Sequence, residues 1–376
     1  MSLKKALNGE LSRTIDVIRK NKTFLITTHI NPEADAIGSE LAFSRLLKKL
    51  NKEGCIINES KIPEECKFLP GIDTIKIFPR KSGEFNDSTS RFDKLATLSK
   101  VEGLTINPER SRRIDCMVFL DCSELSRAGR TGELLSPEKN SLNIDHHISN
   151  TRFTKVNWVI PDASSTCEMV YRLYRELKVE IDADAALMLY SGMMVDTGSF
   201  RYNNASARSY RIAASLIEKG VSPRFVYNRL FENSKFADIK LLSGVLSTIR
   251  HDASGRIAWA DISRKILKSR FTAIDLAETA LSIMRAIAGV ELAIIFKEVK
   301  DQKGKLRINF RSQSKFDCNY LASCFGGGGH KNASGATVSG DLIEIKNKVI
   351  RQAGKMMAGV SFETADKDDA RGYSEV

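Results

Sequence analysis

The sequence predicts a two-domain α/β protein: a mainly parallel sheet flanked by helices, followed by a smaller α/β domain. The chain has 376 residues, more than one hydrophobic core usually organises. In the first half, short β-rich runs alternate with amphipathic helical stretches, which is typical of a parallel sheet covered on both faces. Polar side chains suited to chemistry follow three of these runs, at the strand ends where such sheets bind ligands.

The N-terminal domain is predicted to span residues 1–221. Its first segment has the pattern of a charged amphipathic helix and lacks the apolar core of a signal peptide. Apolar and β-branched runs predict strands, and spacing near one helical face predicts the helices between them. The predicted strands lie at 23–29 (TFLITTH), 54–60 (GCIINES), 115–121 (DCMVFLD) and 141–145 (SLNID), and the helices at 36–50, 164–177 and 182–195.

A polar, charged stretch at residues 80–114 is predicted to be an insertion with one short helix. It is interpreted either as a substrate lid or as a solvated surface excursion, and general loop statistics favour the excursion.

A helical connector at 222–250 is predicted to lead to the second domain, at 251–360. Runs reading GRIAWADI, VELAIIFKEV and KLRINFRS predict three strands there, and a final helix is expected near 341–357. The acidic residues 361–376 are expected to form a disordered tail.

The charge of the chain indicates an anionic partner. The net charge is +12, and residues 251–360 hold 18 Lys and Arg against 10 Asp and Glu. A basic second domain suggests nucleotide or nucleic-acid phosphate, although a lysine-rich protein without such a partner fits as well. Seven cysteines without a C-x-x-C pair predict a reducing, cytoplasmic location. No apolar run approaches about 18 residues, so no membrane span is expected.

Four short segments hold most of the unusual residues: HINPEAD (29–35), FLDCSE (119–124), NIDHHISN (143–150) and MVDTGSFRY (194–202). Singly, each acid could be a helix cap or a turn residue. Together they offer a mixed set of imidazoles and carboxylates without thiolate, which favours Mn²⁺, Fe²⁺ or Zn²⁺. The number of ligands suits two metals ~3.5–4 Å apart, as used for attack on phosphate. The candidate residues are His29, Glu33, Asp35, Asp121, Asp145, His146, His147 and Asp196.

These segments resemble the motifs of the DHH phosphoesterase superfamily. NIDHH is similar to its signature triad, and HINPEADAIGS, FLDCSELSRAG and VDTGSFRY are similar to its first, second and fourth motifs. In the second domain, FRSQSKFDCNYLASCFGGGGHKNASG resembles the DHH-associated domain. The resemblance covers residues 20 to 340 and points to the branch of nanoRNases and 3′-phosphoadenosine-5′-phosphate (PAP) phosphatases.

The resemblance implies roles for the metal ligands. His29 and Glu33 would hold one metal, Asp35 the other, and Asp121 would bridge the two. His146 and Asp196 would complete the ligand set of the second metal.

The resemblance also implies that His147 faces the substrate phosphate and that Asp145 orients an imidazole by hydrogen bond. One motif departs from the family pattern: Glu33-Ala34-Asp35 stands where Asp-Gly-Asp is usual. Glutamate is longer and alanine lacks the conformational freedom of glycine, so the first metal site is expected to be looser or displaced.

The glycine run FGGGGH (325–330) is interpreted as a phosphate or sugar clamp, because glycines let backbone amides approach a ligand closely. A flexible hinge is the alternative. Upstream, an arginine suited to bidentate contact with phosphate precedes a serine. The predicted substrate-binding residues are Arg311, Ser312, Gly327, Gly328, Gly329 and His330.

We therefore expect a Mn²⁺-dependent phosphodiesterase with two metal ions that hydrolyses short oligoribonucleotides, and that also removes phosphate from PAP. One alternative is a phosphodiesterase for cyclic or linear dinucleotides. Another is a nucleotide-binding module whose catalysis is weakened by Glu33. The expected partners are short RNA or nucleotides and no membrane, with a homodimer left open.

Overall fold

The computed structural model of the protein describes residues 3–78, 114–268, 275–299, 302–313 and 315–359. The predicted insertion, apart from Ile114, and the predicted tail lie outside these residues. The chain divides into two compact units, Met1–Asn233 and Ser234–Val376.

The first unit is built on a six-stranded sheet in which every strand is parallel to its neighbours. Its strands are β1 (Thr23–Thr27), β2 (Glu53–Asn58), β3 (Lys76–Ile77), β4 (Cys116–Leu120), β5 (Asn140–Asp145) and β6 (Val156–Val159). Their order across the sheet is β3-β2-β1-β4-β5-β6. The predicted fold class is confirmed.

Helices and short 3-10 segments precede, connect and follow these strands. The α-helices are α1 (Leu3–Lys20), α2 (Ala34–Lys49), α3 (Thr166–Glu176), α4 (Ala183–Asp196), α5 (Ala207–Ile217) and α6 (Pro223–Phe231). The 3-10 segments are Glu64–Cys66, Ile72–Thr74 and Leu125–Leu134.

Burial on both faces of the sheet explains why its central strands are continuous apolar runs. Every residue of β4 is buried. Val118 belongs to the core cluster that includes residues of α2, α3 and α4. Its neighbours Met117 and Phe119 pack into a second cluster with Leu134 of the last 3-10 segment.

The second unit contains a mixed six-stranded sheet. Its strands are β7 (Arg250–His251), β8 (Ile257–Ile262), β9 (Leu292–Glu298), β10 (Lys305–Ser312), β11 (Gly328–His330) and β12 (Ala333–Ser339), in the order β11-β12-β10-β9-β8-β7. The β8–β9 pair is parallel and the other pairs are antiparallel. Its helices are α7 (Phe236–Leu246), α8 (Arg264–Lys268), α9 (Leu276–Arg285), α10 (Cys318–Ser323) and α11 (Leu342–Gly359).

The segment predicted as a connector divides between the two units. Helix α6 buries Val226 and Leu230 in the core of the first unit. Helix α7 buries Leu242 and Val245 in a core cluster of the second unit.

Among the described residues, no helix combines the length and apolar character needed to cross a membrane.

Candidate metal centre

Three neighbouring strands end at the residues that the sequence predicts to form a site. β1, β4 and β5 lie side by side in the parallel sheet. His29 follows β1 by two residues, Asp121 directly follows β4, and Asp145 is the last residue of β5. Because parallel strands end at the same edge of a sheet, the three side chains are brought together there.

Asp121 lies in the middle of this edge. Its backbone φ is 55°, in the left-handed region that aspartate tolerates better than branched residues. Its carboxylate Oδ2 lies 3.5 Å from Nε2 of His29. Its Oδ1 lies 3.5 Å from Nε2 of His146 and 3.6 Å from Nδ1 of His147. The two oxygens of one carboxylate therefore face imidazoles from different strand ends.

Two overlapping groups of side chains have the composition of a metal site. Donor atoms of Asp121, His146 and His147 lie within 4.8 Å of one another, and so do those of Asp35, His146 and Asp196. Within the second group, Nε2 of His146 lies 2.9 Å from Oδ2 of Asp196. This mixture of imidazole and carboxylate fits transition metals such as manganese, iron or zinc.

Helix α3 holds the carboxylate of Asp35 through its first backbone amides. The N–H of Thr166 donates to Oδ2 at 2.7 Å and the N–H of Cys167 donates to Oδ1 at 2.9 Å. Asp35 is fully buried in the first turn of α2. With Asp196 at the end of α4, the site thus draws on three helices as well as three strands.

The electrostatics of the cluster favour a cation. Burial, together with the nearby charges of Asp196 and Asp121, holds the pKa of Asp35 well above its usual range. Burial alone would lower the pKa of His146, but its hydrogen bonds to Asp121 and Asp196 raise it to about 12. The cluster thus packs the buried Asp35 and Asp121 against the half-buried Asp196, and a divalent cation would offset the repulsion between their charged forms.

The imidazole of His29 is oriented for coordination. Its Nδ1 lies 2.8 Å from the carbonyl oxygen of Ile30, and a carbonyl only accepts, so Nδ1 carries the proton. In the neutral ring, Nε2 is then an acceptor, and it faces another acceptor, Oδ2 of Asp121. Two acceptors directed at each other fit a cation between them.

Asp145 fixes the orientation of His147. Its Oδ1 lies 2.7 Å from Nδ1 of His147 and accepts the backbone N–H of His146 at 2.9 Å. Its Oδ2 accepts from the side-chain amide of Asn150 at 2.6 Å. Burial alone would lower the pKa of His147, but the hydrogen bond to Asp145 raises it. His147 is thereby held in one orientation with Nε2 left for another partner.

Glu33 does not join either group of donor atoms. It is the exposed N-cap residue of α2, whereas Asp35 two positions later is buried among the other carboxylates. The structure therefore brings together His29, Asp35, Asp121, Asp145, His146, His147 and Asp196, and it places Glu33 at the solvent side of the same loop.

Sequence reasoning missed the residues that hold the ligands in place. Thr166 touches two of the predicted ligands, through its N–H to Asp35 and its hydroxyl to Asp121 at 3.1 Å. The available signal was the S-x-x-E pattern formed by Ser165 and Glu168, which marks a helix start. That pattern predicts where α3 begins, but it does not predict which groups accept hydrogen bonds from the first backbone N–H groups of the helix.

In the second unit, Arg311 and Ser312 both have partners within the unit. The guanidinium of Arg311 forms an ion pair with Glu278, with Nη2 at 2.7 Å from Oε2. The hydroxyl of Ser312 is buried and donates to the carbonyl of Phe316 at 3.0 Å. Ser312 therefore supports the turn after β10, and Arg311 is the more accessible of the two.

The glycine run forms an edge strand. Gly328–His330 pairs with Ala333–Gly335 of β12. A Cβ on Gly327 would lie 2.2 Å from the carbonyl oxygen of Gly335, and Gly329 has a φ of 145°. Close packing and backbone conformation thus require these two glycines, and His330 is exposed at the end of the strand.

Comparison with known proteins identifies the family. The profile described as "DHH family, N-terminal domain" matches residues 23–193, and the "DHHA1 domain" matches residues 265–364. The "Bifunctional oligoribonuclease and PAP phosphatase NrnA" of Thermus thermophilus is 30% identical over 86% of this chain and 87% of its own length. The chain belongs to the DHH family. This confirms the resemblance and the predicted enzyme class, a hydrolase of phosphoester bonds.

Other DHH proteins agree with this assignment. The relative of the same name from Bacillus subtilis is 27% identical over 88% of this chain and 93% of its own length. A crystal structure described as an exopolyphosphatase-related protein from Bacteroides fragilis is 25% identical, with a TM-score of 0.78, covering 93% of this chain and 96% of that chain.

Proposed function

We propose that this DHH protein hydrolyses short oligoribonucleotides and removes phosphate from PAP. The proposal is carried by Asp121, whose carboxylate lies between three imidazoles at a strand edge shared with other buried acids. The names of the relatives from Thermus thermophilus and Bacillus subtilis, which state both activities, support the choice of substrates.

We propose two bound metal ions, most simply Mn²⁺. His29 would serve one ion, His146 and Asp196 would serve the other together with Asp35, and Asp121 would be shared. Glu33 would join the first ion only after a change in its loop, because its side chain is exposed. When bound, the two cations supply charge neutralisation and Lewis acidity for in-line attack on phosphorus.

His147 supplies the protein's own chemistry in this proposal. Its Nδ1 is held by Asp145, so Nε2 is the atom that faces substrate. Burial lowers the pKa of His147, but the hydrogen bond to Asp145 raises it and so favours the protonated ring. That ring can stabilise charge on the phosphate or donate a proton to the leaving oxygen.

We propose that the second unit holds the rest of the substrate. Arg311, the amides of Gly328 and Gly329, and the exposed His330 provide the cationic and hydrogen-bonding groups. Ser312 and Gly327 would shape this surface, since the hydroxyl of Ser312 is engaged with Phe316. The predicted cytoplasmic location and homodimer stay predictions.

The test is hydrolysis by the purified full chain with Mn²⁺ or EDTA. The substrates are pApA, an RNA pentamer, PAP and a cyclic dinucleotide. We expect Mn²⁺-stimulated release from the first three, and a loss of at least about 100-fold in Asp121→Asn. Asp184→Asn, a half-exposed carboxylate paired with Arg45, is the matched control and should retain activity. Absence of Mn²⁺-stimulated release from every substrate would refute the proposal. Preference for the cyclic dinucleotide would favour the alternative substrate class.

Because Glu33 is exposed, we retain a second candidate function, that of a nucleotide-binding module with weakened catalysis. Glu33→Asp should then raise the turnover number, because the shorter side chain is the ligand usual at this position. If turnover instead collapses, the loop depends on glutamate, and the weakened-catalysis reading is wrong.

A further inference from the structure

Ser164 is buried, and its hydrogen bonds connect Glu168 to the residues of the candidate metal centre. Its N–H and its hydroxyl both donate to Oε2 of Glu168, at 3.1 and 2.6 Å. Its carbonyl accepts from the side-chain amide of Asn204 at 3.0 Å, and the same amide donates to the carbonyl of Asp196 at 3.0 Å. All three polar backbone and side-chain groups of one serine are therefore committed, and one connection leads to a candidate metal ligand.

The residues that follow Ser164 hold two more candidate ligands. The N–H groups of Thr166 and Cys167 donate to the two carboxylate oxygens of Asp35, at 2.7 and 2.9 Å. The hydroxyl of Thr166 donates to Oδ1 of Asp121 at 3.1 Å. The path of the chain from Ser164 to Cys167 thus sets the positions of Asp35 and Asp121.

Glu168 holds this stretch of chain in place through its contacts with Ser164 and Arg208. It is 4% exposed and accepts from Nε of Arg208 through Oε1 and from the hydroxyl of Ser209 through Oε2 at 3.3 Å. Arg208 also donates from Nη2 to the carbonyl of Asp162 at 2.8 Å. One arginine therefore neutralises the buried carboxylate and ties down the chain just before Ser164.

We infer that Glu168, paired with Arg208, is a positioning residue for the metal ligands Asp35 and Asp121. Its effect passes through Ser164 and the first amides of α3. Glutamine at position 168 has no charge and offers one acceptor oxygen where glutamate offers two to the donors of Ser164, Arg208 and Ser209. At least one of these donors then loses its acceptor, and the backbone that holds Asp35 shifts. The inference rests on the proposed metal centre.

A merely structural role for Glu168 gives a different expectation. Ser165 caps α3 by accepting the N–H of Glu168 at 3.0 Å, so changes here also affect helix stability. A structural role lowers the melting temperature and leaves the affinity for metal unchanged. The positioning role lowers the affinity in a protein that remains folded.

The experiment is calorimetric titration of Mn²⁺ into the metal-free full chain. We expect Glu168→Gln to weaken binding about 10–100-fold, and Arg208→Ala to weaken it in the same direction by less. Arg208→Lys should recover part of the affinity, since the ammonium restores the charge but cannot also reach Asp162 in the same geometry. Circular dichroism and the melting temperature establish that each variant is folded.

The matched control is Asp182→Asn. Asp182 caps α4 and pairs with Arg45 and Lys49, so its loss should lower the melting temperature without changing Mn²⁺ affinity. Wild-type affinity in both Glu168→Gln and Arg208→Ala overturns the inference. Should Glu168→Gln fail to fold, Arg208→Ala decides, because half of that side chain is exposed. If the wild-type chain binds no Mn²⁺, the proposed metal centre itself is wrong. If the wild type and all variants bind Mn²⁺ equally, only the inference about Glu168 is wrong.

Discussion

At the scale of single residues, His147 and Asp145 show how two positions of one motif differ in burial and hydrogen bonding. Asp145 is fully buried and directs both oxygens to neighbouring donors. A third of the His147 side chain is exposed. Asp145 therefore fixes the orientation of the ring, and His147 stays accessible to a ligand.

His147→Ala should lower turnover about 10²–10⁴-fold, the range for loss of a general acid. Affinity for Mn²⁺ should stay within a few-fold of the wild type, because His29, Asp35, Asp121, His146 and Asp196 remain. Single-turnover hydrolysis and calorimetric titration measure the two quantities, with the exposed His251→Ala as control. A large loss of metal affinity would make His147 a metal ligand instead.

Glu40 gives a prediction about pH and stability. It is fully buried on α2, with one oxygen accepting from Asn58 at 2.8 Å. Its other oxygen, like the amide oxygen of Asn58, has no partner among the described residues. Burial raises the pKa of Glu40 from 4.5 to about 8, so the folded protein keeps a proton that the unfolded chain releases.

The direction of the pH dependence of stability follows from the proton that Glu40 keeps in the folded protein. Stability contributed by neutral Glu40 is full below pH 4.5 and is lost as pH rises toward about 8. Glu40→Gln stays neutral, so its free energy of unfolding should fall less than that of the wild type between pH 5 and pH 8. Urea unfolding in EDTA at both values measures the difference. Parallel losses in the two proteins would show that Glu40 is not protonated.

Residue types and strand ends predicted that His29, Asp121 and His146 lie close together, as they do in the structure; the orienting role of Asp145 was implied by the family resemblance. Residue types and strand ends did not predict that the side chain of Glu33 is exposed, because its orientation depends on the conformation of the loop before α2. Nor could they predict that Thr166 binds Asp35 or that Arg208 pairs with Glu168. A hydrogen bond from a backbone amide and an ion pair between distant residues leave no local pattern in the sequence.

At the scale of elements, the crossing of α2 and α4 depends on a glycine. A Cβ on Gly192 would lie 2.4 Å from Sγ of Cys167 and 2.7 Å from Oδ1 of Asp35. The absence of a side chain at this position lets α4 approach the start of α2 closely enough for Asp196 and Asp35 to share a group of donors.

Gly192→Ala should destabilise the protein by about 1–3 kcal/mol through overpacking and should weaken Mn²⁺ binding, because two of the three nearest atoms belong to Asp35. Gly354→Ala on α11 is the control, since nothing lies within 4 Å of its added Cβ, and it should be neutral or stabilising. Chemical unfolding and metal titration test both variants. Normal metal affinity in Gly192→Ala would mean that the helices separate without moving Asp35.

The long apolar elements were predictable and the short ones were not. β4, β5, α3 and α4 appear near their predicted positions because most of their residues are buried. β6 was missed, since it has only four residues, one of them Asn157. β11 was missed because its glycines have no pattern of their own and are ordered by pairing with β12.

At the scale of the whole molecule, the two units have separate cores, and the proposed metal donors belong to the first. Mn²⁺ should therefore protect the first unit selectively. At 100 times the dissociation constant, binding stabilises a folded unit by about 2.7 kcal/mol. Hydrogen exchange should slow in β1, β4 and β5 on addition of Mn²⁺ and stay unchanged in β9 and β10. Equal slowing in both units would place the ion elsewhere.

The all-parallel order of the first sheet has a kinetic consequence. β1 pairs with β4 across a long separation in the chain, with Phe24 opposite Cys116. The donors at these strand ends meet only after that slow, long-range closure. Metal therefore engages after the folding barrier has been crossed, and it should lengthen the lifetime of the native state while leaving the refolding rate unchanged.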